Sequence, residues 1–72
     1  MVVRVDKTAG KICVNGVYNE ATLCLYDIRG EIVEIKQATM ADVSFDLPCC
    51  GNYVLVVTHS LHIPIVKKLV IE

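Results

Sequence analysis

Two histidines, four cysteines and eight carboxylates are the side chains from which a catalytic or metal centre would have to be built. His59 and His62 stand at H-x-x-H spacing, which on a helix supplies two ligands to one metal. On a strand or turn the same spacing is expected to send them to opposite faces, and no third ligand follows nearby in sequence. Exposed turn histidines are therefore the expectation. Cys13, Cys24, Cys49 and Cys50 contain no C-x-x-C pair, so they fit no zinc pattern. A nucleophilic pair of Cys49 or Cys50 with His59 or His62 lacks the helix N-terminus or clustered cations that lower a thiol pKa. There is no glycine-rich phosphate loop, no G-x-S-x-G and no H-E-x-x-H. The chain is expected to be non-catalytic and to need no cofactor or metal.

The cysteines leave two states open. Cys13 and Cys24 fall on strands expected to be neighbours, where a cross-strand bridge must meet a narrow geometric window. Adjacent Cys49 and Cys50 bond each other only with strain. Free cysteine, buried as a small apolar residue, is the expectation for all four.

Seventy-two residues make one domain with a thin core, because a chain this short buries only about 60% of its unfolded surface. The apolar fraction is 54%, above the ~45–50% usual for soluble domains. No apolar run approaches the ~18 residues of a membrane-spanning helix. The net charge is −1, and seven basic residues are scattered except at Lys67-Lys68, so there is no basic stripe to bind nucleic acid. Met1-Val-Val-Arg-Val-Asp-Lys7 carries an early charge and no small-residue cleavage site, unlike an export leader. A cytoplasmic protein, or one whose export signal lies elsewhere, is expected.

The elements that must position these groups all read as strands. Val2–Val5, Lys11–Val14 and Ala21–Asp27 are the first three, the last with Leu23 and Leu25 on one face and Cys24 and Tyr26 on the other. Asn15-Gly16 marks a turn, lengthened by Val17 and Tyr18 beyond a two-residue hairpin. Glu31–Gln37 is a half-exposed strand with Val33 and Ile35 toward the core and Glu34, Lys36 and Ile32 wet. Helical spacing fails there. Asp42–Leu47 sets Val43, Phe45 and Leu47 against Asp42, Ser44 and Asp46. Asn52–Thr58 is an apolar run expected to be a central strand buried on both faces. Leu61–Ile71 closes the chain, bulged near Pro64 because proline donates nothing to a ladder. Lys67 and Lys68 suit an edge, where lysine discourages pairing with another chain.

Seven short strands with frequent turns point to an all-β fold, a β-sandwich or barrel, and the expectation is a seven-stranded Ig-like antiparallel β-sandwich. Tyr53 fits the place in such sandwiches where a tyrosine opens the sixth strand and sends its hydroxyl back to the preceding turn, with Leu55 pointing into the core. Tyrosine is also a good strand former for its own sake.

Three segments together carry a resemblance: Leu25-Tyr-Asp-Ile-Arg-Gly-Glu-Ile-Val33, Leu47-Pro-Cys-Cys-Gly-Asn-Tyr-Val-Leu-Val-Val57 and Lys67-Lys-Leu-Val-Ile71. Their order and spacing resemble the type A C-terminal sorting domain of the bacterial type IX secretion system. The resemblance implies a non-catalytic Ig-like module behind an N-terminal cargo domain. It implies recognition by the outer-membrane secretion machinery, removal by a sortase-like peptidase, and delivery of the cargo to the cell surface. The residues it assigns to recognition are Gly30, Gly51, Tyr53, Lys67, Lys68, Leu69, Val70 and Ile71. Two departures stand out: no Pro-Asn-Pro segment precedes the first strand, and Cys49-Cys50 lengthens the Pro-to-Gly turn. They open a second reading, a small exported Ig-like accessory or adhesion module. A homodimer formed by edge pairing is also expected to be accessible to so short a sandwich.

Overall fold

Branched and aromatic residues recur at alternate positions in seven segments. Each segment is extended in the structure, a computed structural model that describes residues 1–72. The strands are β1 (Val2–Asp6), β2 (Lys11–Asn15), β3 (Thr22–Asp27), β4 (Ile32–Gln37), β5 (Asp42–Asp46), β6 (Gly51–His59) and β7 (His62–Ile71). They form two antiparallel sheets, ordered β1-β2-β5 and β4-β3-β6-β7. No helix is present, and the fold is all-β.

Period-two alternation decides what lies between the sheets. Ile12 and Val14 of β2 and Phe45 of β5 meet Leu23, Leu25, Leu55 and Val57 from the other sheet in a single cluster of 12 buried residues. Burying one such side chain fully stabilises the fold by about 1.5–3 kcal/mol, so each matters in a core this small. Val43 and Leu47 pack on the cluster beside Phe45, as the alternation of that segment predicts.

The Pro64 bulge is where the sequence placed it. Val57 pairs with Ile65 and His59 with His62, so Thr58 faces two residues, Ile63 and Pro64. β7 has β6 as its only partner and is an edge strand, which places Lys67 and Lys68 at the margin of the sheet.

β4 corrects the sequence reading. Val33 and Ile35 are 45% and 52% exposed, and the inward register belongs to Glu34 and Lys36. The reason is pairing: Lys36 lies beside Leu23 and Glu34 beside Leu25, with Val33 an extra residue at a bulge. At a sheet edge a long side chain can cover apolar surface with its stem while its charge reaches a polar partner. Lys36 does so, its Nζ donating to the Ser44 carbonyl at 2.5 Å and lying 5.4 Å from the centre of the Phe45 ring.

A second correction concerns the cysteines. β2 and β3 belong to different sheets, so Cys13 and Cys24 are not cross-strand neighbours. Each alternates with core residues and so faces outward from its own sheet, which rules out a bridge between them. All four thiols are free; Cys13 and Cys24 are half-buried, Cys49 and Cys50 exposed, and none is the buried apolar residue expected. The central strand β6 is likewise buried on one face only: Tyr53, Leu55 and Val57 are covered, Val54 and Val56 half-covered.

Candidate functional site

The three segments of the sequence resemblance meet at one end of the four-stranded sheet. Asp27 closes the turn between β3 and β4. Its Oδ1 accepts from the backbone N–H groups of Arg29 (2.9 Å) and Glu31 (3.0 Å), and its carbonyl accepts from Gly30 N–H (3.0 Å). An aspartate that satisfies backbone donors in this way fixes a turn by itself. Those bonds, first that from Glu31 and then the Arg29 backbone and guanidinium, hold the Asp27 carboxyl below its usual range. Gly30 takes a φ of +82°, the left-handed region that a side chain disfavours.

Beside this turn the chain enters β6 through Gly51, at φ +151°. Tyr53, two residues on, donates its hydroxyl to the carbonyl oxygen of Cys49 at 2.7 Å. The ring is 9% exposed and fills the end of the core next to Leu55, which is fully buried. β7 completes the site from the other side, with Leu69 paired to Tyr53, Lys68 to Val54 and Val70 to Asn52.

Between these elements lies a groove of about 540 Å³, lined mainly by apolar groups. Of the residues the resemblance assigns to recognition, Gly30, Tyr53, Lys68, Leu69 and Val70 line it. Gly51, Lys67 and Ile71 do not. Gly51 pairs with Ile71 at the sheet end, Ile71 is a core residue at 3% exposure, and Lys67 is exposed in the inward register opposite Leu55. Sequence reasoning passed over Asp27, Ile28 and Tyr26, which line the same groove. Asp27 was legible: an aspartate three residues before a glycine is a turn signature.

The groove is mainly apolar, and Lys68 is the one cation among its lining residues. Lys68 lacks an ionic partner among the ion pairs of the molecule. The nearby guanidinium of Arg29 is shared between Asp27 (3.4 Å) and Glu31 (3.0 Å). No three His, Cys, Asp or Glu side chains come together in this chain.

The histidines are brought together, contrary to the expectation of opposite faces. They pair across the β6–β7 hairpin, with ring centres 4.9 Å apart, because the bulge at Pro64 shifts the register so that His59 faces His62. Tyr18 stacks flat on His62 at 3.7 Å. His59 has both nitrogens engaged: Nδ1 accepts from the Leu61 N–H, so Nε2 is the protonated atom that donates to the Asn19 carbonyl, each at 3.0 Å. That ring ties the β2–β3 loop to the hairpin and has no lone pair to spare for a metal. Next to it an open polar hollow lies between Glu20, Thr22, Gln37, Thr58, His59 and Ser60. Glu20 sits at φ +69°, its N–H held by the Ala38 carbonyl at 2.9 Å.

No family model, no curated protein and no solved structure matches the chain.

Proposed function

We propose that this chain is an Ig-like sandwich acting as a non-catalytic sorting module, recognised by outer-membrane secretion machinery while it directs an attached cargo protein to the cell surface. The observation that carries the reading is convergence. Three sequence segments far apart in the chain supply Gly30, Tyr53 and Lys68–Val70 to one groove, on a strand with a free edge. A secretion apparatus that handles unrelated cargoes needs a folded address whose exposed strand and loops do not depend on the cargo. The Tyr53 bond to the Cys49 carbonyl and the inward Leu55 support the Ig-like assignment, because that hydroxyl-to-turn bond at the start of the sixth strand is a mark of such sandwiches.

The direct test fuses Met1–Glu72 to a periplasmic reporter in a host that has the machinery. Surface delivery that depends on Leu69–Glu72 is the expected result. A reporter left in the periplasm, or delivered equally well without Leu69–Glu72, defeats the proposal. Position in the full-length gene is a second check, since a sorting module must follow its cargo. A second reading, an exported Ig-like accessory module, is favoured by one observation: the outer face of the four-stranded sheet is apolar, with Ile32, Ile35 and Val66 exposed on it. A module found ahead of or between other domains would decide for that reading.

A further inference from the structure

Cys49 and Cys50 stand side by side in the turn that feeds β6, and both are exposed, so a reagent in solution reaches both thiols. They are the chain's one adjacent thiol pair. Cys13 and Cys24 are half-buried, each on the outer side of a different sheet. A bond between adjacent cysteines closes a small ring that contains the amide joining them. Here the oxygen of that amide is the Cys49 carbonyl, which accepts from the Tyr53 hydroxyl at 2.7 Å. Little else holds the turn. Leu47 donates its N–H to the Gly10 carbonyl at 3.0 Å on one side, and Gly51 enters the ladder opposite Ile71 on the other. Between them, the Tyr53 hydroxyl is the one hydrogen-bond partner that Pro48, Cys49 and Cys50 have within the chain.

We propose that Cys49 and Cys50 form a redox-modification site, a dithiol that a low-molecular-weight disulfide such as oxidised glutathione converts reversibly to a Cys49–Cys50 disulfide, and whose state governs the Tyr53 hydroxyl bond. The site stands on these two thiols and Tyr53 and does not rest on the sorting reading.

The chemistry is thiol–disulfide exchange. One cysteine, as its thiolate, attacks a sulfur of oxidised glutathione. A protein–glutathione disulfide forms, and the first glutathione leaves and takes up that cysteine's proton. The neighbouring thiolate then attacks the protein sulfur of the mixed disulfide and expels the second glutathione, which takes up the second proton. Two cysteine thiols are thereby oxidised, and one glutathione disulfide is reduced to two thiols.

Strain makes the site reversible and couples it to Tyr53. Adjacent Cα atoms lie ~3.8 Å apart across a trans peptide, short of the ~4.4–6.8 Å that relaxed disulfides span. Closing the ring therefore twists the shared amide, and its carbonyl oxygen turns away from the Tyr53 hydroxyl. Strained and exposed disulfides have the more oxidising potentials, and these are the labile, regulatory ones. The reduced turn keeps the Tyr53 bond, and the oxidised turn gives it up.

The test equilibrates the dilute full chain with mixtures of oxidised and reduced glutathione, quenches with acid, and measures intact and peptide masses. The expected product is a chain lighter by two hydrogens, with the loss in the peptide that holds Cys49 and Cys50. Dithiothreitol should restore both thiols. Cys13→Ser combined with Cys24→Ser should give the same product, and adding Cys49→Ser to that pair should stop the reaction at one bound glutathione. Tyr53→Phe, checked for fold by circular dichroism, should move the equilibrium constant about two- to tenfold toward the disulfide, the effect of one net hydrogen bond. In urea, where the bond is absent from both, Tyr53→Phe and the unaltered chain should oxidise alike. Glutathione bound at both cysteines in place of the ring, disulfides formed only between copies, or equal constants for folded Tyr53→Phe and the unaltered chain would each overturn the proposal.

Discussion

The Tyr53 hydroxyl reaches back four residues to the Cys49 carbonyl at 2.7 Å, and that bond ties the entry of β6 to the turn before it. A net intramolecular hydrogen bond contributes about 0.5–1.5 kcal/mol. Tyr53→Phe keeps the ring and removes the bond, so it should lower unfolding free energy by ~1 kcal/mol in a denaturant titration with unchanged slope. Leu55→Ala, at a fully buried site, should cost more, about 2–5 kcal/mol.

The Asp27 turn makes stability depend on acid. The folded carboxyl titrates below its unfolded value of about 3.9. Its contribution is therefore present above that pH and is lost as the pH falls through the folded value. Asp27→Asn should flatten this part of the acid limb in a pH series of thermal melts. Lys11 and Asp46 form the opposite case at the other sheet, 2.5 Å apart on paired strands. The Asp46 hydrogen bond raises Lys11, so its contribution holds below the unfolded lysine pKa and is lost as pH rises through the folded one.

The inverted face of β4 separates sequence from structure. Ile35 is half-exposed and Leu25, one strand away, is buried. At dilute concentration Ile35→Ser should change stability by less than about 0.5 kcal/mol, whereas Leu25→Ser should cost several times that amount. Equal losses would return Ile35 to the core.

Thiol reactivity follows the two surfaces. Cys49 and Cys50 are exposed and should be alkylated first, with Cys13 and Cys24 slower because both are half-buried. Mass mapping after mild oxidation should find no Cys13–Cys24 bridge within a folded chain.

Most strands were legible because burial on one face imposes a period of two, and Phe45, Leu23 and Leu25 sit where that period puts them. Sheet membership was not. Nothing local in Asn15–Ala21 tells whether β2 pairs with β3 or crosses to the other sheet. The bonds Val17 N–H to Ala41 and Glu20 N–H to Ala38 that carry the crossing are long-range. The β4 face was misread because one bulged residue reverses inside and outside, and Val33 looks like any strand valine. At the groove, Gly30 and Tyr53 were legible from turn and strand chemistry. Asp27 was overlooked beside them, and the role of Lys68 depends on which strands adjoin it.

The account's central claim is that sorting information resides in the groove where Gly30, Tyr53 and Lys68–Val70 meet. The measurement that tests it is surface delivery of a reporter fused to folded groove variants. Lys68→Glu with Val70→Glu should abolish delivery while preserving the circular dichroism of the sandwich, and Arg4→Glu on the opposite sheet should leave delivery intact. Equal delivery by both variants and the unaltered chain would contradict the claim.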